Sequence, residues 1–91
     1  MTKYIINFTP QFLRKYKKFT KNNHSMAKIV KDKVYLLAES PHAASLKAHK
    51  YKEDYSIRIT GYIRIIWNFT ATNEITLFNL GGHDGKTGVY K

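Results

Sequence analysis

The stretch Tyr55–Phe69, YSIRITGYIRIIWNF, decides the fold. On both sides of Gly61 apolar and polar residues alternate with period two, the pattern of strands that bury one face. Tyr55, Ile57 and Ile59 share a face, with Ser56, Arg58 and Thr60 on the other. Past the glycine, Ile63, Ile65, Trp67 and Phe69 continue the apolar set, with Tyr62, Arg64, Ile66 and Asn68 opposite. Glycine takes positive φ cheaply, so Thr60-Gly61-Tyr62 reads as a three-residue hairpin loop. Ile59 then faces Ile63, Ile57 faces Ile65 and Tyr55 faces Trp67. A slip of one residue would expose half of them. A two-residue Thr60-Gly61 turn is the alternative, and it would break this match.

The three-residue loop also sets Arg58 directly across from Arg64, two of the three arginines in the chain. Like charges opposed across a strand pair are destabilising. A dianionic or bridging phosphate gripped by two planar guanidinium forks would compensate. The other resolution is that both side chains turn apart into water and stack on Tyr62.

Working outward, KYIINF (residues 3–8) is short and rich in β-formers, a first strand. Thr9-Pro10 is an N-cap followed by proline at the first helical position. Phe12, Leu13, Tyr16 and Phe19 follow at helical spacing, and Asn22-Asn23 ends that helix. Ser25 or Asn23 caps a second helix with an apolar stripe of Met26, Ile29, Val30, Val34 and Leu37. It stops at Ser40, because the residue before Pro41 is pushed out of the α region. Residues 42–53, HAASLKAHKYKE, form a basic connection with Leu46 and Tyr51 as anchors. After the hairpin, Thr72-Asn73-Glu74 is a turn and ITLFNL a last strand. The order predicts one α+β domain over residues 1–91: an N-terminal strand, a two-helix hairpin, then a three-stranded antiparallel meander in one sheet of three or four strands, helices on one face.

Composition narrows the function. Lys plus Arg number 16 against 6 Asp plus Glu, a net charge of +10 on 91 residues. Such a surface holds a positive potential that attracts nucleic acid or other polyanions. Neither an amphipathic membrane-binding helix nor a lipidation site is evident, and no apolar run is long enough for a membrane span. The chain has no cysteine, which excludes disulfides, thiol nucleophiles and cysteine-bound zinc. The N-terminus lacks the apolar core of a signal peptide, so a soluble cytoplasmic protein is the economical reading. His83-Asp84 is a weak metal pattern without a spaced partner histidine, and neither metal nor cofactor is expected. Polar residues gather in two loops: Lys47, His49, Lys50 and Lys52 in the connection, and His83, Asp84, Lys86 and Tyr90 in the glycine-rich C-terminus.

Three segments together resemble the RelE-type toxins of bacterial toxin–antitoxin systems, over essentially the whole chain. They are the connection Pro41–Lys50 with its L-K-x-H-K pattern, the strand G-Y-x-R-I-I-W at Gly61–Trp67, and the tail in which His83-Asp84 precedes Val89-Tyr90. The histidines make it similar to the YafQ-like branch of the RelE/ParE superfamily. Three residues are inserted between His83-Asp84 and Val89-Tyr90 relative to the usual spacing.

The resemblance implies an mRNA-cleaving endoribonuclease that works in the A site of the 70S ribosome. Cleavage there needs no metal: the ribose 2′-OH attacks its adjacent phosphate. By position, Arg64 matches the arginine that stabilises the transition state and Arg58 a basic residue on the preceding strand. His49 and His83 match the acid–base histidines, and Tyr90 the terminal aromatic that orients the nucleotide. Ser56 stands where relatives carry a lysine, which leaves that role vacant or moves it to Lys50 or Lys52. Lys47, Lys50, Lys52 and Lys86, with Lys15, Lys18, Lys28 and Lys31 on the helices, are candidate RNA contacts. A cognate antitoxin is the implied protein partner. Two other readings share the features: a ParE-like gyrase poison of the same fold, and a non-catalytic module that binds RNA or the ribosome.

Overall fold

The computed structural model describes residues 3–43, 48–51, 53–60 and 62–82. Strand β1 (Ile5–Phe8) leads into helices α1 (Pro10–Thr20) and α2 (His24–Glu39). Strands β2 (His49–Tyr51), β3 (Asp54–Arg58), β4 (Ile63–Ala71) and β5 (Glu74–Gly82) follow. The fold is α+β, as the sequence predicts. The sheet has five strands rather than three or four, in the order β1-β5-β4-β3-β2. The extra one is β2, formed inside the segment read as a connection. It pairs antiparallel with β3, placing His49 opposite Ser56. β1 runs parallel to β5 at the other edge, Ile6 beside Ile75 and Phe8 beside Leu77.

Capping chemistry sets the helix limits. Thr9 is extended (φ −82°, ψ 157°) and its Oγ1 accepts from the amide of Phe12 at 3.1 Å. Asn23 does the same for Met26 at 3.0 Å, which selects Asn23 over Ser25 as the cap. Between the helices Asn22 takes the left-handed conformation at φ 56°, a region asparagine tolerates. α2 ends at Ser40, whose amide bonds the carbonyl of Leu36 at 2.7 Å.

The hairpin register is the three-residue one: Tyr55 pairs with Trp67, Ile57 with Ile65 and Arg58 with Arg64. The Ile59 amide donates to the Ile63 carbonyl at 2.8 Å. Ile57, Ile59, Ile63, Ile65 and Trp67 pack with Ile75, Leu77 and Leu80 under Phe12, Val30 and Leu37 of the helices. Trp67 stacks on Tyr55 at 5.1 Å between centroids and meets Phe69 edge-on at 5.2 Å. Among the described residues its Nε1 is the buried side-chain polar atom without a partner.

β5 keeps Ile75, Leu77 and Leu80 all inward although their spacing breaks period two. A bulge does this: Ile66 pairs with Asn79 but Trp67 pairs with Leu77, so Phe78 is the extra residue. The start of α1 is tied to that bulge. The Thr9 hydroxyl lies 3.1 Å from the Leu77 carbonyl and 3.0 Å from that of Phe78, and the Thr9 amide donates to Leu77 at 3.1 Å. Replacing Thr9 by alanine removes both the cap and this tie, so Thr9→Ala is expected to cost about 1–2 kcal/mol. Thr9→Ser should recover most of that loss in urea unfolding.

Candidate active site and nucleic-acid interface

One face of the sheet lies against the helices, and the other carries the polar residues. Directly opposed residues of an antiparallel pair project from the same face. His49, Ser56 and Ile66 therefore form one row, with Arg58, Arg64 and Gly81 in the next. Asn79 joins this face because the Phe78 bulge resets the alternation in β5. Three strands thus bring His49, Arg58 and Arg64 together on one surface. β2 matters here because it turns His49 from a loop residue into a placed one. Asn68 fixes the turn before β3: its Nδ2 donates to the Glu53 carbonyl at 2.9 Å and to Asp54 Oδ1 at 3.0 Å.

The two arginines are not equivalent, contrary to the symmetric pair implied by sequence. Arg58 is exposed, whereas Arg64 is only 7% exposed. Arg64 reaches diagonally back across β3, Nε donating to Ser56 Oγ at 3.0 Å and Nη2 to the Ser56 carbonyl at 3.3 Å. Ser56 itself is fully buried. Repulsion between the opposed arginines is thus relieved partly within the protein, one guanidinium held down and the other in water. The resemblance leaves the lysine role at Ser56 vacant or moves it to Lys50 or Lys52; the position of Ser56 diagonal to Arg64 is the sequence signal for this bond.

His49 and Lys50 are exposed on β2, and Lys18, Lys28 and Lys31 on the helices. Lys15 is half-buried. Lys28 forms a surface pair with Asp32 at 3.2 Å, an interaction of small net value in water. His83, Tyr90, Lys86, Lys47 and Lys52 lie outside the described residues, as do Gly61 and Asp84. Among the described residues no three or more His, Cys, Asp or Glu side chains cluster as metal ligands, and no helix is long and apolar enough to cross a membrane.

A second surface feature lies on the helix side. Phe8, Phe12, Leu13, Tyr16, Val30 and Val34 line an apolar groove of about 140 Å³ with Lys31 at its margin. Phe8 and Leu13 remain 48% and 44% exposed there, and Ile5 on the neighbouring edge strand 58%.

A solved structure described as a YoeB/ParE toxin from Agrobacterium tumefaciens superposes over 88% of this chain and 99% of its own length, with a TM-score of 0.78 at 16% identity. The chain has the fold of the RelE/ParE-superfamily toxins. The YoeB–YefM complex from Staphylococcus aureus matches 91% of this chain and 100% of that one, with a TM-score of 0.67 at 25% identity. The DinJ–YafQ toxin–antitoxin complex of E. coli covers 89% of this chain and 93% of its own, with a TM-score of 0.68 at 17% identity. A YafQ protein is thus among the structural relatives, in line with the YafQ-like resemblance of the sequence. No protein-family model and no curated protein matches the sequence.

In this toxin fold the hairpin tip packs on the end of β5. A methyl group placed on Gly82 would lie 2.6 Å from Cζ of Tyr62, closer than carbon atoms approach. Relief of this contact requires the 48% exposed Tyr62 ring to shift. Gly82→Ala is expected to destabilise by about 1 kcal/mol or less in the native background. In a Tyr62→Ala background the same change should stabilise by about 0.4–1 kcal/mol, because only the restriction of the unfolded chain remains. Denaturant melts of the four proteins test the change of sign.

Proposed function

We propose that this chain, residues 1–91 acting as one domain, is the toxin of a toxin–antitoxin pair and cleaves mRNA on the ribosome in the cytoplasm. The observation that carries this reading is the polar sheet face, where a buried and anchored Arg64 sits beside exposed Arg58 and within two strands of exposed His49. Burying a guanidinium costs several kcal/mol and favours the fold little. A site that must hold a cation in one orientation justifies it.

The chemistry follows from the groups present. A base removes the proton of a ribose 2′-OH, and the oxygen attacks the adjacent phosphorus. The bond to the 5′-oxygen of the next nucleotide breaks, and an acid protonates that oxygen. The products are a 2′,3′-cyclic phosphate and a 5′-hydroxyl. Arg64 and Arg58 bind the phosphorane, which carries more negative charge than the ground-state diester, so their hold tightens as the reaction proceeds. His49 and His83 divide the acid and base roles, to which imidazole is suited near neutral pH. Tyr90 orients the nucleotide. Lys15, Lys18, Lys28, Lys31, Lys47, Lys50, Lys52 and Lys86 meet RNA backbone. The step requires no metal.

The partner is an acidic, amphipathic antitoxin segment. The apolar groove between β1, α1 and α2 accepts its apolar side, and Lys31, Lys28 and Arg14 on the same helices match its charge. Among the described residues β1 is an edge strand, able to accept an added strand. One structural relative is a YoeB/ParE toxin, so inhibition of gyrase, as by a ParE-like poison, is the second reading to test.

Three outcomes are expected. Arg64→Ala should slow cleavage of mRNA on programmed ribosomes by about 10²–10³, and Arg64→Lys should also be impaired because an ammonium lacks the planar fork. Circular dichroism must show each variant folded at the assay temperature, since the bonds from the guanidinium to Ser56 are lost. Cleavage by Arg64→Ala within about threefold of the native rate, or inhibition of gyrase without ribosomal cleavage, would reject the endoribonuclease. Ribosome binding should weaken with salt by about 0.7–0.9 log units per log unit of salt for each phosphate neutralised; a flat response removes the basic surface from the interface. Leu13→Glu should weaken binding of an acidic, amphipathic antitoxin segment far more than it slows cleavage.

A further inference from the structure

We propose that Ser56 is the positioning residue for Arg64: its hydroxyl and carbonyl fix the guanidinium at the angle from which it meets the scissile phosphate. The inference rests on the endoribonuclease reading above and adds to it a residue with no acid–base or charge role of its own.

Arginine reaches its target through a long, flexible side chain, and an unrestrained guanidinium must be ordered when the substrate arrives. Two donors on one edge, Nε to Ser56 Oγ at 3.0 Å and Nη2 to the Ser56 carbonyl at 3.3 Å, fix both the reach and the plane of the group. Both partners are buried, Ser56 fully and Arg64 to within 7%. Water therefore competes poorly for these bonds, and they persist before substrate binds. A donor oriented in advance contributes more to the transition state than one that must reorganise.

Register adds a second reason. Ser56 lies directly opposite His49 on one side and Ile66 on the other, with Arg64 on the diagonal. It is thus the common neighbour of the candidate histidine and the candidate arginine. A lysine at this point would place a third cation beside Arg58 and Arg64 and would offer no acceptor to Nε. A small hydroxyl does the opposite. It accepts from the guanidinium and lets the arginine side chain lie across β3.

The test uses the full chain with Ser56→Ala, Ser56→Thr, Arg64→Lys and the Ser56→Ala/Arg64→Lys double variant, all assayed below the lowest melting temperature. Ser56→Ala is expected to lower the single-turnover cleavage rate about tenfold or more while ribosome affinity stays within about twofold. Ser56→Thr keeps the hydroxyl and should return the rate to within about threefold. In the Arg64→Lys background, which has no Nε at this place, Ser56→Ala should add nothing further. The Nε–H signal of Arg64 in ¹⁵N NMR, protected from exchange in the native protein, should be lost in Ser56→Ala. An equal loss of rate in both backgrounds, no rescue by threonine, or an unchanged Nε–H signal would each overturn the positioning role. Failure of the native protein to cleave would instead reject the endoribonuclease reading, and the Nε–H signal would still report whether Ser56 holds Arg64.

Discussion

The pairing of β3 with β4 is the constraint on which the rest depends. Ile57 and Ile65 face each other with no exposed surface, between Tyr55–Trp67 on one side and the loop on the other. Burial of each such side chain is worth about 1.5–3 kcal/mol, so the register is held by far more than thermal energy. Strand geometry then leaves no freedom on the opposite face. Arg58 and Arg64 sit there because the isoleucines sit where they do. The positions of the charges are in this sense a by-product of core packing, and the protein uses the other face of a surface it must build anyway.

The opposite face shows where stability is given up. β4 is buried on both sides, with Arg64 and Ile66 covered as well as Ile63, Ile65 and Trp67. An apolar residue at position 64 would spare the desolvation of a guanidinium. Ser56 limits that cost, because its fully buried hydroxyl accepts from the guanidinium. A polar pair of this kind, sealed into a small domain of net charge +10, is a local departure from the best core. Departures of that sort concentrate at functional positions.

The bulge at Phe78 links the two faces. Without it Leu80 would point away from the helices, and Asn79 with Gly81 would point into the core. Thr9 fastens the first helix to the bulge carbonyls, so the helix that carries Phe12 into the core also stabilises the irregularity that shapes the polar face. One threonine thus joins local helix capping to the geometry of the sheet.

Much of this was legible in the chain of letters. Thr9-Pro10, the Asn23 or Ser25 cap and Ser40-Pro41 delimit the helices because capping and proline sterics act over three or four residues, and the structure chose Asn23. The period-two runs about Gly61 predict the β3–β4 register because apolar burial depends only on which face a residue occupies. These are local or strictly periodic constraints, and they set the α+β class and the opposition of Arg58 to Arg64. Tertiary structure decided the remainder. β2 formed in a segment without strand periodicity because β3 offered it an open edge. β1 came to lie parallel to β5, an arrangement that depends on how the helices cross the sheet. The Ser56 contact arises because a long side chain with several rotamers chooses among partners by the space and charge around it. Periodicity reports the face a residue occupies, whereas the reach of Arg64 along that face is set by neighbours distant in sequence.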